Sequence, residues 1–196
     1  MERFLFVYSW LSVLTDGRFF RFIFSSLLRL GAIVLTIYLL GDAIENIKQM
    51  LEQRPTVGNR SLLLPATQQG LLLLSGYAII HLILLRAAEI RTLFDPRYAL
   101  SEIITVLNRL FGETLFVAIL TSTALFLLQQ MAPVEQQLLP QLQQLLTPWL
   151  AELHTLWIVA GGIGLSFVTL VAGYLSSEVL EMVMRLSRNS DNLSQQ

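Results

Sequence analysis

The sequence predicts an all-α polytopic membrane protein. The expected fold is a four-transmembrane-helix bundle, with an N-terminal interfacial helix and an outer amphipathic helix between spans 3 and 4. Three observations lead there. Of 196 residues, 54% are hydrophobic and only 14% charged, against roughly 25% charged in an average soluble domain. The mean hydropathy is +0.62. Four stretches also reach the ~20 mostly apolar residues that cross a hydrocarbon core ~30 Å thick. Disorder is excluded, because it needs low hydrophobicity and high net charge. A net charge of −1 and a pI near 6.1 argue against nucleic acid as a partner. With no cysteine in the chain, disulfides, thiolate metal sites and cysteine nucleophiles are excluded together.

The elements follow in chain order. Residues 4–14, FLFVYSWLSVL, are apolar but too short to span, and Asp16-Gly17-Arg18 follows them. A signal peptide would need a basic leading region and a small-residue cleavage site. An interfacial helix fits better, with Tyr8 and Trp10 at headgroup level. The first span covers residues 26–47, uncharged from Leu30 to Gly41, and its helix continues as DAIENIKQMLEQ up to Pro55. The second span, 69–88, is built on LLLLSGYAIIHLILL.

Asp95-Pro96 marks the start of the third helix, with Asp95 able to cap and Pro96 suited to the first helical position. No further proline occurs before Gln130, so about 35 residues, or ~52 Å, are available. The span itself is 110–130. The preceding extension carries an apolar stripe of Leu100, Ile103, Ile104, Leu107, Leu110 and Phe111. Residues 134–150, VEQQLLPQLQQLLTPWL, place leucines at helical spacing opposite glutamines. Pro140 and Pro148 forbid one unbroken helix there, so a short surface helix is expected. The fourth span, 153–177, holds no formal charge if His154 is neutral, and its helix continues through SSEVLEMVMRLSR. Residues 1–188 then form a single domain, and 189–196 a polar, disordered tail.

Arginine and lysine in short loops set orientation. Arg3, Arg18, Arg21 and Arg29 flank the start of the first span. Arg86, Arg91, Arg97 and Arg109 lie between the second and third, and Arg185 and Arg188 follow the fourth. Only Lys48, Arg54 and Arg60 fall between the first and second spans. Both termini are therefore expected to be cytoplasmic, with ten basic residues inside and three outside. The expected location is a bacterial cytoplasmic (inner) membrane or an equivalent energy-transducing membrane.

Three groups of residues are candidates for function. In the fourth span, Gly162, Ser166, Thr169, Gly173 and Ser177 recur at intervals of 4, 3, 4 and 4 and share one helix face, with Ala160 and Gly164 on a neighbouring strip. Small side chains let helices approach closely in lipid, so this is read as a helix-packing face. Arg29, Asp42, Glu45 and Glu113 are ionisable groups near span ends, where charge is costly. Snorkelling and pairing account for them: Arg109–Glu113 along one helix, or Arg29–Glu113 between helices. As an alternative they line an ion path. His81, the histidine well inside a span, could ligate haem or a pigment, relay protons, or donate one interhelical hydrogen bond.

No G-x-S-x-G, H-E-x-x-H or phosphate-binding loop occurs. Gly161 to Gly164 lies mid-span rather than between strand and helix. The expected function is non-enzymatic, with no catalytic residue, metal or cofactor. It is that of an accessory, assembly or scaffolding subunit that packs on itself or on a larger membrane complex, with lipids as its other partners. A small homo-oligomeric ion or proton channel or transporter is the alternative. Haem or pigment binding through His81 ranks third.

Overall fold

The computed structural model describes residues 18–57, 63–93, 99–130 and 155–193, with side chains described for 19–52, 63–93, 99–130 and 155–187. These residues form four α-helices: α1 Arg18–Val57, α2 Leu63–Thr92, α3 Ala99–Gln130 and α4 Thr155–Leu193. Each is long and apolar enough to cross a membrane. The expected helices at 4–14 and 134–150 lie outside the described residues, as do the Asp95-Pro96 helix start and His154.

Every helix outruns its expected span. α1 is 40 residues long and contains the whole of DAIENIKQMLEQ. α2 begins at Leu63 and takes Pro65 into its first turn, where a missing N–H costs nothing. It ends at Thr92, beyond the expected limit of 88. α4 reaches Leu193, into the tail expected to be disordered. No glycine or proline follows Gly173, so the usual helix breakers are missing there.

Two compact units divide the described chain. One comprises Met1–Val34, Ile80–Thr114 and Leu170–Gln196; the other comprises Leu35–Ile79 and Leu115–Thr169. Each helix contributes a segment to each unit. In the first unit, Ile90, Ile103 and Val106 are buried together, with Phe20, Phe24, Leu28, Leu93 and Leu107 against them. Consecutive helices run antiparallel, as the contacts require. Arg21 of α1 donates to the carbonyl of Leu93, just past α2, and Ser25 donates to Ala87 O at 2.8 Å. The Arg21 bond places a cation on a carbonyl left unpaired at a helix end. Between α3 and α4, Gly173 lies against Gly112, and Ser177 donates to Thr105 O at 3.0 Å.

The expected stripe on α3 only partly turns inward. Ile103 and Leu110 are buried, but Leu100, Ile104 and Phe111 are exposed. Val106 and Thr105 take up the inward positions between them.

The second unit uses the same means. Gly76 of α2 faces Leu39 of α1. Gly162 of α4 faces Thr123 of α3, and Phe116 meets Phe167 edge-to-face at 5.5 Å between centroids. Across both units, many buried positions are small or polar, among them Ser25, Ala32, Ala43, Ala87, Ser166 and Ser177. Large apolar side chains such as Leu30, Ile37, Leu74, Trp157 and Val171 are exposed. This inverts the pattern of a water-soluble domain.

Candidate functional site

The strongest polar constellation lies within the first unit, on α2, α3 and α4. Arg86 presents its guanidinium fork to Glu113. Nε donates to Oε2 at 3.1 Å, and Nη2 donates to Oε1. This bidentate geometry is the strongest arrangement for a guanidinium and a carboxylate. Tyr174 donates its hydroxyl to the same Oε1 at 2.6 Å, and Arg86 Nη2 lies 3.3 Å from the Tyr174 oxygen. Arg86 also meets Glu89, three residues on along its own helix. The Arg86 and Glu113 side chains are only 12% and 9% exposed.

About one helical turn from Glu113, Arg109 stands between two carboxylates, at 3.8 Å from Glu89 and 3.7 Å from Glu181. Glu181 in turn pairs with Arg185 at 2.7 Å. These charges line a cavity of about 200 Å³ that also includes Glu102 and Met184. The ion pairs join α2, α3 and α4 within this unit. Chemically, they engage Glu113 as an acceptor on both oxygens. No group of three or more histidine, cysteine or acidic residues suited to a metal occurs among the described residues.

The ionisable candidates therefore separate. Glu113 is buried, and the structure pairs it with Arg86 in place of either expected partner. Arg29 is exposed, while Arg109 makes its ion pairs with Glu89 and Glu181. In the second unit, Asp42 accepts from Asn46 Nδ2 at 3.0 Å, and the same nitrogen donates to Gln69 Oε1 at 2.9 Å. Glu45 and His81 are exposed.

The small-residue face of α4 also separates. Ser166, Gly173 and Ser177 are buried, and Gly162 and Thr169 half-buried. Ser166 donates to Ile163 O at 2.7 Å, and Thr169 to Ser166 O at 2.8 Å, so both hydroxyls are satisfied along their own helix. Ala160 and Gly164 are exposed, and a side chain at Gly164 would meet nothing within 4 Å.

Sequence reasoning missed Arg86, Glu89 and Tyr174 as site residues. The Arg86–Glu89 spacing of three was the available signal, since such pairs share a helix face. Arg86 was read only as a basic residue marking a loop. No protein-family model, curated protein or solved structure matches this chain.

Proposed function

We propose that this chain is an integral, polytopic membrane protein with both termini cytoplasmic. In this reading it is a non-enzymatic accessory, assembly or scaffolding subunit. Its location is a bacterial inner membrane or an equivalent energy-transducing one. It docks through helix packing on a larger membrane complex or on copies of itself.

The observation that carries the reading is the engagement of Glu113. A carboxylate lining an ion path must exchange partners with the passing ion, which requires weak, multiple sites. Glu113 instead accepts a bidentate guanidinium and a phenol. The buried charge thus serves helix cohesion, which suits a structural subunit better than a conduit. The inverted distribution of large apolar side chains supports placement in lipid, where close packing rather than hydrophobic exclusion joins helices.

The test is purification of the tagged protein in mild detergent or native nanodiscs, followed by mass photometry, identification of co-purifying chains and an absorption spectrum. A defined heteromeric complex without visible absorption is expected. A colourless homo-oligomer that conducts ions in liposomes would overturn the subunit reading. A coloured preparation bleached by His81→Ala would replace it with pigment or haem binding.

A further inference from the structure

The cavity of about 200 Å³ in the first unit brings groups of both signs together: the carboxylates of Glu89, Glu102 and Glu181, and the guanidiniums of Arg109 and Arg185. Arg109 keeps unused donor capacity there. Its ion pairs, at 3.8 Å to Glu89 and 3.7 Å to Glu181, are longer than the roughly 2.7–3.2 Å of an N–H···O hydrogen bond. Its Nε is buried and makes no hydrogen bond among the described residues. The walls grade from a buried floor, Val106 and Met184, to an open rim, where the Glu181 and Arg185 side chains are 41% and 74% exposed.

This lining selects a chemistry. A simple anion in the cavity would face three carboxylates, and a simple cation two guanidiniums. A ligand carrying both charges a few bonds apart is opposed by neither set. Its cationic end must donate N–H groups, because ionised carboxylates only accept; a quaternary ammonium has none to give. Its anionic end suits phosphate, whose oxygens a guanidinium binds as it binds a carboxylate. The volume is below the ~300–1,000 Å³ of drug-sized pockets, which suits a headgroup and leaves acyl chains outside.

Position selects the source. All the lining residues fall just past the expected span limits at 88, 110 and 177, the depth at which headgroups lie in a bilayer. On α4 the exposed Val171, Leu175, Val179 and Met182 recur at helical spacing and share one face. They form an apolar strip from the expected span to the level of Glu181, along which acyl chains can lie.

We infer that this cavity holds the headgroup of an ethanolamine-type phospholipid, its phosphate on Arg109 and its primary ammonium among Glu89, Glu102 and Glu181. The inference rests on the membrane-spanning reading of the chain and is independent of its role as a subunit.

The test uses the full chain in detergent micelles doped with short-chain phospholipids of identical acyl chains and ethanolamine, choline or glycerol headgroups. Retained lipid is read by native mass spectrometry. The expected result is saturable retention of one ethanolamine lipid, about tenfold or more tighter than either of the others, the worth of a hydrogen bond to a charged group. Equal retention of the three would overturn the inference. So would free phosphoethanolamine binding as tightly as the lipid, which would assign the cavity to a soluble zwitterion. This wild-type series does not depend on a variant folding. Arg109→Gln and Glu181→Gln should each reduce the ethanolamine preference by about tenfold, and a preference that survives both would place the lipid elsewhere and refute the site. Retention in micelles is independent of sidedness. A reversed topology in cells would therefore move the site to the other leaflet without removing it, whereas equal retention would remove the site and leave the topology standing.

Discussion

Glu113 illustrates how a charge can be tolerated inside an apolar helix. Its carboxylate is matched by the Arg86 fork and capped by Tyr174, so the cost of removing both ions from water is offset by mutual attraction and by near-complete hydrogen bonding. Breaking one half is the damaging change, because it strands the other charge. Glu113→Ala should therefore cost about 3–5 kcal/mol, read as a lowered midpoint in detergent thermal denaturation. The double replacement Arg86→Met with Glu113→Leu should recover most of that loss, since well-packed apolar groups often replace a buried pair without penalty. If the double variant is as unstable as Glu113→Ala, the pair is not the source of the effect. Tyr174→Phe should cost about 1 kcal/mol, at the low end because Tyr174 is 40% exposed. The sequence pointed to Glu113 but not to its partner. Arg86 looked like a loop charge because the second span was expected to end at 88, two residues beyond it. With the helix continuing to Thr92, the antiparallel register of α2 and α3 sets Arg86 opposite Glu113.

Helix contacts depend on the same kind of register. On α4, small residues four apart look alike in sequence whether they face a neighbouring helix or the surroundings, so the Ala160–Gly164 strip reads as a packing strip just as the face holding Gly173 does. What separates them is the opposing surface. A Cβ at Gly173 would lie 2.7 Å from Gly112 Cα and 3.0 Å from Asn108 O. Those are backbone atoms, so α3 and α4 must move apart to admit it. Gly173→Ala should therefore destabilise, by about 1–3 kcal/mol as overpacking does. Gly164→Ala meets open space and should stabilise by up to about 1 kcal/mol through helix propensity alone. Equal effects of the two substitutions would refute the assigned contact face. Gly162 falls between them, because its neighbour is the Thr123 side chain rather than backbone. Gly162→Ala should destabilise alone and be relieved by Thr123→Ala, a coupling that a double-mutant cycle measures directly.

At the scale of the molecule, the four apolar helices were legible because a run of ~20 apolar residues is a composition signal that survives without knowledge of neighbours. Helix ends were legible only in part: DAIENIKQMLEQ and SSEVLEMVMRLSR are expected as helix and are helical, whereas α2 runs on to Thr92 and α4 to Leu193, because polar stretches favour helix as much as loop once no glycine or proline intervenes. Orientation rests on a different quantity, the distribution of basic residues, and is open to a clean experiment because the chain contains no cysteine. Lys48 on α1 and Arg91 on α2 are both exposed, so each can be replaced by a single reporter thiol. Under the proposed topology Lys48 lies between the first two spans on the outer side, and Arg91 lies between the second and third on the cytoplasmic side. Neither substitution reverses the bias: Arg91→Cys leaves nine basic residues inside against three, and Lys48→Cys leaves ten against two. A membrane-impermeant maleimide should thus label Lys48→Cys in intact cells and Arg91→Cys only after permeabilisation. The reverse pattern would invert the topology and transfer the Arg86–Glu113 network to the outer leaflet. Labelling of both from outside would contradict a second helix that crosses the bilayer between the two positions, and with it the four-span arrangement on which the subunit proposal rests.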